Sequence, residues 1–157
     1  MSRVILEDSR QKPIQNAHIR LQLEKLGYKV DRSKMYIGDY QFADNGKIVI
    51  DTKQDLQEVC GNVTQQHERF QAECVRAKDA GIKLVILVQE QNITCLSEVC
   101  GWYNWRRKKQ PKALNGIQLW KIMKTMSERY GVEWLFCKKT EVGKTIIEIL
   151  EGDHENI

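Results

Sequence analysis

The spacing of apolar positions changes several times along the chain, and each change marks an element. Residues 4–6 form a short β-type run that ends in the acidic pair Glu7-Asp8. Across residues 13–27, Ile14, Ala17, Leu21 and Leu26 recur near helical spacing and Gly27 is a natural stop, so the pattern predicts a helix. Tyr28-Lys29-Val30 then alternates as a strand. Between residues 37 and 51, two β-rich runs flank Asp44-Asn45-Gly46, and Asn-Gly at such a junction is a strong hairpin signal. Residues 65–80 place Phe70, Cys74 and Ala77 along one helical face, with Gly81 ending it. Residues 83–88 are a continuous β-branched and Leu run of strand length, the signature of a strand buried on both faces.

The segment 92–113 is loop-like and basic. It leads to a helix over residues 114–130, with Leu119, Ile122, Met123 and Met126 facing inward and Gly131 closing it. Residues 132–137 are a last strand, and 144–150 fit either a helix or a strand. A helix feeding a buried strand implies a βαβ-type crossover and an α/β class. With no repeat or internal linker, residues 1–150 read as one domain and 151–157 as an acidic tail that frays. Cys74, Cys137, Trp120 and Trp134 fall inside predicted elements and read as core residues.

Composition narrows the class. The five cysteines include no C-x-x-C pair and the three histidines are scattered, which excludes a disulfide framework and a zinc site of recognisable spacing. The longest apolar run, Leu84-Val85-Ile86-Leu87-Val88, is far short of the ~20 residues a spanning helix needs. No secretory leader pattern opens the chain, so a cytoplasmic protein is expected. A net charge of +4 fits a polyanionic partner. Its densest basic run, Arg106-Arg107-Lys108-Lys109, directly follows Trp102, Tyr103 and Trp105. Such a run is either a solvated loop or a nucleic-acid contact made by phosphate neutralisation and base stacking; Trp102 and Trp105 have the better claim to DNA among the tryptophans.

The candidate chemistry lies around the hairpin, at Asp39, Asp51 and Lys53. Residues two apart on a strand share a face, so Asp51 and Lys53 point the same way. A two-residue Asn45-Gly46 turn would set Tyr40 opposite Asp51 and send Asp39 to the other face. A three-residue loop, Asp44-Asn45-Gly46 with Gly46 left-handed, would pair Asp39 with Asp51, and a working site requires that register. Two carboxylates ~4 Å apart repel by about 4 kcal/mol at an effective dielectric of ~20, so the pair calls for a cation. Hard oxygen ligands with open positions suit Mg²⁺ or Mn²⁺. Deprotonating a lysine of pKa ~10.4 at pH 7 costs about 4.6 kcal/mol, so Lys53 is expected to stay charged, orienting water and stabilising the transition state. Against this stands the plain alternative that D-x-K is a solvated strand end.

From residue 4 to about residue 88 the chain resembles the XPF-type nuclease domain, a branch of the PD-(D/E)xK superfamily. Asp8-Ser9-Arg10 matches a D-x-R strand end, Gly38-Asp39-Tyr40 a G-D-Y strand, and Ile50-Asp51-Thr52-Lys53 stands where V-E-R-K would. Asp55-Leu56 echoes a following D-L pair, and Arg69-Phe70 onward looks like the next helix and strand. The resemblance implies a restriction-endonuclease-like mixed central sheet flanked by helices. It implies a Mg²⁺- or Mn²⁺-dependent DNA endonuclease with Asp39, Asp51, Lys53 and an accessory Asp8 as catalytic residues; Glu24 is the alternative to Asp8. Asp39, Asp51 and Thr52 would hold the metal, while Arg10, Trp105, Arg106, Arg107, Lys108 and Lys109 would contact DNA.

Four departures stand out. Asp51 replaces Glu, Thr52 replaces Arg, Asp55 arrives two residues early, and Gln11 follows Arg10 where the D-x-R-E strand has Glu. The chain has no room for a tandem helix-hairpin-helix domain, so the expected substrate is branched or flapped DNA met by the nuclease domain itself or by a homodimer. An enzyme of this kind would serve repair or recombination, as in a phage or mobile element. The alternatives are a resolvase or restriction-type enzyme of the same superfamily and a non-catalytic nuclease fold that binds DNA or a protein.

Overall fold

The computed structural model describes residues 3–152, so Met1, Ser2 and the last five residues of the expected frayed tail lie outside it. Six strands, β1 (Val4–Asp8), β2 (Lys29–Ser33), β3 (Tyr40–Phe42), β4 (Asn45–Lys53), β5 (Lys83–Gln89) and β6 (Glu133–Cys137), form one sheet in the order β2-β1-β3-β4-β5-β6. Only β3 runs against its neighbours. It is antiparallel to β1 and β4, whereas the β1–β2, β4–β5 and β5–β6 pairs are parallel. The carboxyl ends of β1 and β4 therefore emerge at the same edge, where open α/β sheets place their ligands.

Helices cover both faces. Along β5, Leu84, Ile86 and Val88 pack with α2 (Leu56–Val63), α3 (His67–Asp79) and α4 (Gly116–Tyr130). Val85 and Leu87 face the other way, toward α1 (Ala17–Lys25) and α5 (Val142–Leu150). Every residue from Leu84 to Val88 is at most 1% exposed, which is why this strand lacks polar alternation. Phe70, Cys74 and Ala77 form the buried stripe of α3, as their spacing predicts, and Phe70 meets Trp134 edge-on at 6.2 Å. Cys137 and Trp134 are core residues; Trp120 is partly buried against the same cluster.

Several expectations need correction. The first helix begins at Ala17, not near Pro13, and its inward residues are Ile19 and Leu23. Ile14, Leu21 and Leu26, which carry the apparent period, are exposed at 88, 59 and 50%. Residues 144–150 are helical, within α5.

The short helix α2 has no counterpart in the sequence reading. Its start is marked by Asp55, whose side chain accepts from the Glu58 amide at 2.8 Å, while Glu58 Oε1 accepts from the Gln54 amide at 2.7 Å. That D-x-x-E pattern is a capping signature. The basic segment is likewise not bare loop but holds 3₁₀ turns at Leu96–Gly101 and Trp105–Lys108. No helix among the described residues is long and apolar enough to cross a membrane.

Candidate active site

The hairpin delivers the register that a site requires, by a different device. Its turn is Ala43-Asp44, since Phe42 pairs with Asn45, and Asn45-Gly46 belongs to β4. Tyr40 nevertheless pairs with Ile50, because an irregularity in β4 absorbs the extra residues between the two pairs. One step further, Asp39 stands level with Asp51. Gly38 makes this possible: its φ is +66°, and a Cβ there would sit 2.5 Å from Val49 Cγ1 and 2.9 Å from the Ile50 carbonyl oxygen. That close approach lets the Asp39 amide donate to Ile50 O at 2.7 Å.

Asp39, Asp51 and Lys53 meet on the α3 side of the sheet, at the floor of a cleft of about 400 Å³. Each is buried, between 4 and 7% exposed. Lys53 Nζ lies 3.2 Å from Asp51 Oδ2, and the Phe70 ring caps the ammonium at 5.0 Å. Asp39 is held from both sides. Its Oδ2 accepts from the Thr52 amide and hydroxyl, each at 2.9 Å, and its Oδ1 accepts from Gln11 Nε2 at 2.6 Å. Gln11 thus offers a neutral donor where a glutamate would have added a further charge. The backbone carbonyl of Lys53 accepts from Gln89 Nε2 at 3.1 Å, and Gln89 Oε1 in turn meets His18 Nε2 at 2.7 Å.

A third carboxylate, Glu73 of α3, completes a row that sequence reasoning missed. Asp51 lies within hydrogen-bond reach of both Asp39 and Glu73. Glu73 Oε2 has one long contact, the Gly38 amide at 3.4 Å, and its Oε1 is buried with no partner. A signal was present. Phe70, Glu73, Cys74 and Ala77 follow i, i+3, i+4, i+7, so the acid occupies the inward stripe of an amphipathic helix.

Electrostatics mark the row as charge-crowded. Burial first, then repulsion by Asp51, hold the Asp39 carboxyl well above the usual carboxylate range. The same two causes push Glu73 up to about 8. For Lys53 the largest single effect is burial, which lowers its pKa. Asp51, Glu58, Asp39 and Glu73 together outweigh it and hold the ammonium above the ordinary lysine value. Lys53 therefore stays protonated, and it is the cation nearest the row.

The donor set fits a hard divalent cation. An occluded carboxylate oxygen with no proton donor, beside two further carboxylates, lacks positive charge. Among the described residues no three His, Cys, Asp or Glu side chains close round an ion by themselves. Mg²⁺ does not require that: it commonly takes one or two carboxylates and fills its octahedron with water and substrate phosphate. Thr52 gives its amide and hydroxyl protons to Asp39, which leaves its backbone carbonyl to offer.

The other expected residues divide. Asp8 and Arg10 line the cleft but are tied to each other, with Arg10 Nε 3.2 Å from both Asp8 oxygens. Asp8 also accepts from the Met35 amide at 3.1 Å, and Arg10 donates to the Met35 carbonyl. Asp8 thus anchors the cleft wall through its carboxylate. Glu24 is exposed on α1 and does not line the cleft, and Asp55 caps α2. Glu58, Arg69 and Arg76 line the cleft without having been anticipated.

Trp105, Arg106, Arg107, Lys108 and Lys109 form an exposed basic turn outside the cleft, with Tyr103 exposed beside it. Gln57 Nε2 donates to Asn104 Oδ1 at 2.7 Å and roots that turn on α2. Trp102 is not free for DNA in the same way, because it packs against the core.

Comparison with known proteins agrees with this architecture. No curated protein matches the sequence. Among solved structures, XPF from Aeropyrum pernix superposes with a TM-score of 0.64 at 15% identity, covering 96% of this chain and 61% of that one. The same protein in complex with DNA gives 0.64 at 14% identity, covering 98% of this chain and 66% of that one. The chain thus spans less than two thirds of the length of these relatives and shares their nuclease fold. A family model, the ERCC4 domain, matches residues 8–142. That match takes in Asp8, Asp39, Asp51, Lys53 and Glu73, and it extends over most of the chain: the protein belongs to the ERCC4 domain family.

Proposed function

We propose that the protein is a Mg²⁺- or Mn²⁺-dependent DNA endonuclease that hydrolyses phosphodiester bonds in branched or flapped DNA. The observation that carries this reading is the row Asp39–Asp51–Glu73, three carboxylates packed together with only Lys53 as a near counter-charge. Burying such a row uncompensated is unfavourable by several kcal/mol, so its persistence is most simply explained by a bound cation. Membership of the ERCC4 family and the DNA complex of the Aeropyrum pernix XPF support a nucleic-acid substrate.

In this reading Asp39 and Asp51 would hold the cation, with the Thr52 carbonyl beside them, and Glu73 would add its charge to the site. The cation supplies activation of a water and neutralisation of charge developing on phosphorus. Lys53, kept protonated by the acids around it, donates to the attacking water or to a non-bridging phosphate oxygen and stabilises the transition state. Gln11 and Thr52 fix the Asp39 carboxylate, and the Phe70 ring restricts the lysine head. Asp8 and Arg10 brace the cleft wall. The basic turn at Trp105–Lys108, with Lys109, contacts the duplex beside the site by neutralising phosphates.

The test is cleavage of labelled flap, fork, four-way-junction, duplex and single-stranded DNA in Mg²⁺ or Mn²⁺, with Asp51→Ala as control. Metal-dependent cutting should fall at least ~10³-fold in the variant, the scale on which loss of transition-state electrostatics acts. Binding without cutting on any substrate would instead favour a nuclease fold kept as a DNA-binding module.

A further inference from the structure

Five cationic side chains line the active-site cleft, and the protein engages three of them, Lys53 on Asp51 being the first. Arg10 is bound to Asp8 and the Met35 carbonyl, and Arg76 donates to the Tyr36 carbonyl at 3.1 Å. Lys12 and Arg69 are exposed, and among the described residues neither has a hydrogen-bond or ion-pair partner. Their positions are not equivalent. Lys12 follows Gln11, which holds Asp39 at one end of the acid row. Arg69 is one helical turn before Glu73, on the same side of α3, at the other end.

A row of three acids repels a polyanion, and Lys53 offsets only part of that charge. A strand crossing the row therefore needs positive charge at both ends. We infer that Lys12 and Arg69 form a two-point clamp for the phosphates on either side of the one to be cut. This rests on the nuclease reading above and specifies how its substrate enters. Both cations stay hydrated in the free protein, so recruiting them costs little desolvation. A cleft of about 400 Å³ can take the backbone of one strand but is far smaller than a double helix. The clamp thus selects a strand already separated from its partner, as at a flap or junction.

The experiment is fluorescence anisotropy with a labelled oligothymidylate of about eight nucleotides in EDTA, over a salt series, for wild type, Lys12→Ala, Arg69→Ala and Arg69→Lys. Each alanine variant should weaken binding several-fold at low salt and flatten the log–log salt slope by about 0.7, the loss of one single-strand phosphate contact. Arg69→Lys should keep the slope, and affinity for a blunt duplex of the same length should be unchanged in every variant. Unmoved slopes, equal losses on duplex and single strand, or no single-strand binding by wild type would overturn the clamp. Metal-free conditions separate this inference from the catalytic one. A chain that never cuts can still show the slope change, and one that cuts in Mg²⁺ with unmoved slopes loses the clamp alone.

Discussion

Two adjacent residues of β1 carry buried carboxylates to opposite faces of the sheet, and their surroundings could hardly differ more. Glu7, 0% exposed, is saturated: Oε1 accepts from Arg20 at 2.9 Å and Arg32 at 2.9 Å, and Oε2 accepts from the Tyr40 hydroxyl at 2.6 Å. On the face of Asp8, the row of Asp39, Asp51 and Glu73 is short of positive charge, and Glu73 is short of donors as well. The same alternation separates Tyr40 from Asp39. One sheet therefore holds a carboxylate paired until nothing is left to bind, beside a set left under-paired. Burial of charge says little by itself; the completeness of its pairing tells the two apart.

The largest change in stability should come from the saturated side. Glu7→Ala leaves two guanidinium groups facing a void and should lower stability by about 3 kcal/mol, moving the melting midpoint down by roughly 8 °C. An unmoved midpoint would break the contrast. Tyr40→Phe removes one hydrogen bond to a charged acceptor, and burial followed by that bond holds the phenol far above its ordinary pKa. The expected loss is about 1.5 kcal/mol, readable by urea titration.

The under-paired side should respond to pH in the opposite sense from an ordinary salt-bridged acid. Glu73 has an ordinary value of 4.5 and is pushed up to about 8 in the folded chain. Because its folded pKa is raised, its protonated form is favoured by folding. The metal-free protein should lose stability as pH rises from about 4.5 to about 8. Melting in EDTA across that window checks the sign. A midpoint that climbs with pH, after allowance for the histidines, would contradict it.

How much of this was legible depends on what each residue answers to. The buried strand, the stripe of α3 and the Asp51–Lys53 pair follow from local spacing and are read directly. The register of Asp39 opposite Asp51 was inferred correctly from what a site requires, yet the turn was misplaced, because the shift between the Tyr40–Ile50 and Phe42–Asn45 pairs leaves no local mark. Ile14, Leu21 and Leu26 misled because exposed apolar residues can mimic a helical period. The helix α2 is so short that its capping acids carry more information than its apolar residues. Glu73 lies 22 residues after Asp51 and reaches it only because α3 crosses the sheet there. An acid on an apolar stripe was its one local sign. The pairing of Glu7 with Arg20 and Arg32 left no local mark at all.

The central claim is that the under-paired row is a cation site, and thermal melting of wild type and Glu73→Gln at pH 8, in EDTA and in excess Mn²⁺, tests it most directly. Mn²⁺ should raise the wild-type midpoint by several degrees, corresponding to ~2.7 kcal/mol at a hundredfold excess over Kd. Glu73→Gln should melt higher than wild type in EDTA, because an amide can donate to Asp51 where a carboxylate repels it, and should gain less from the metal. A wild type indifferent to Mn²⁺, or a Glu73→Gln variant that melts lower in EDTA and gains as much from Mn²⁺, would contradict the account.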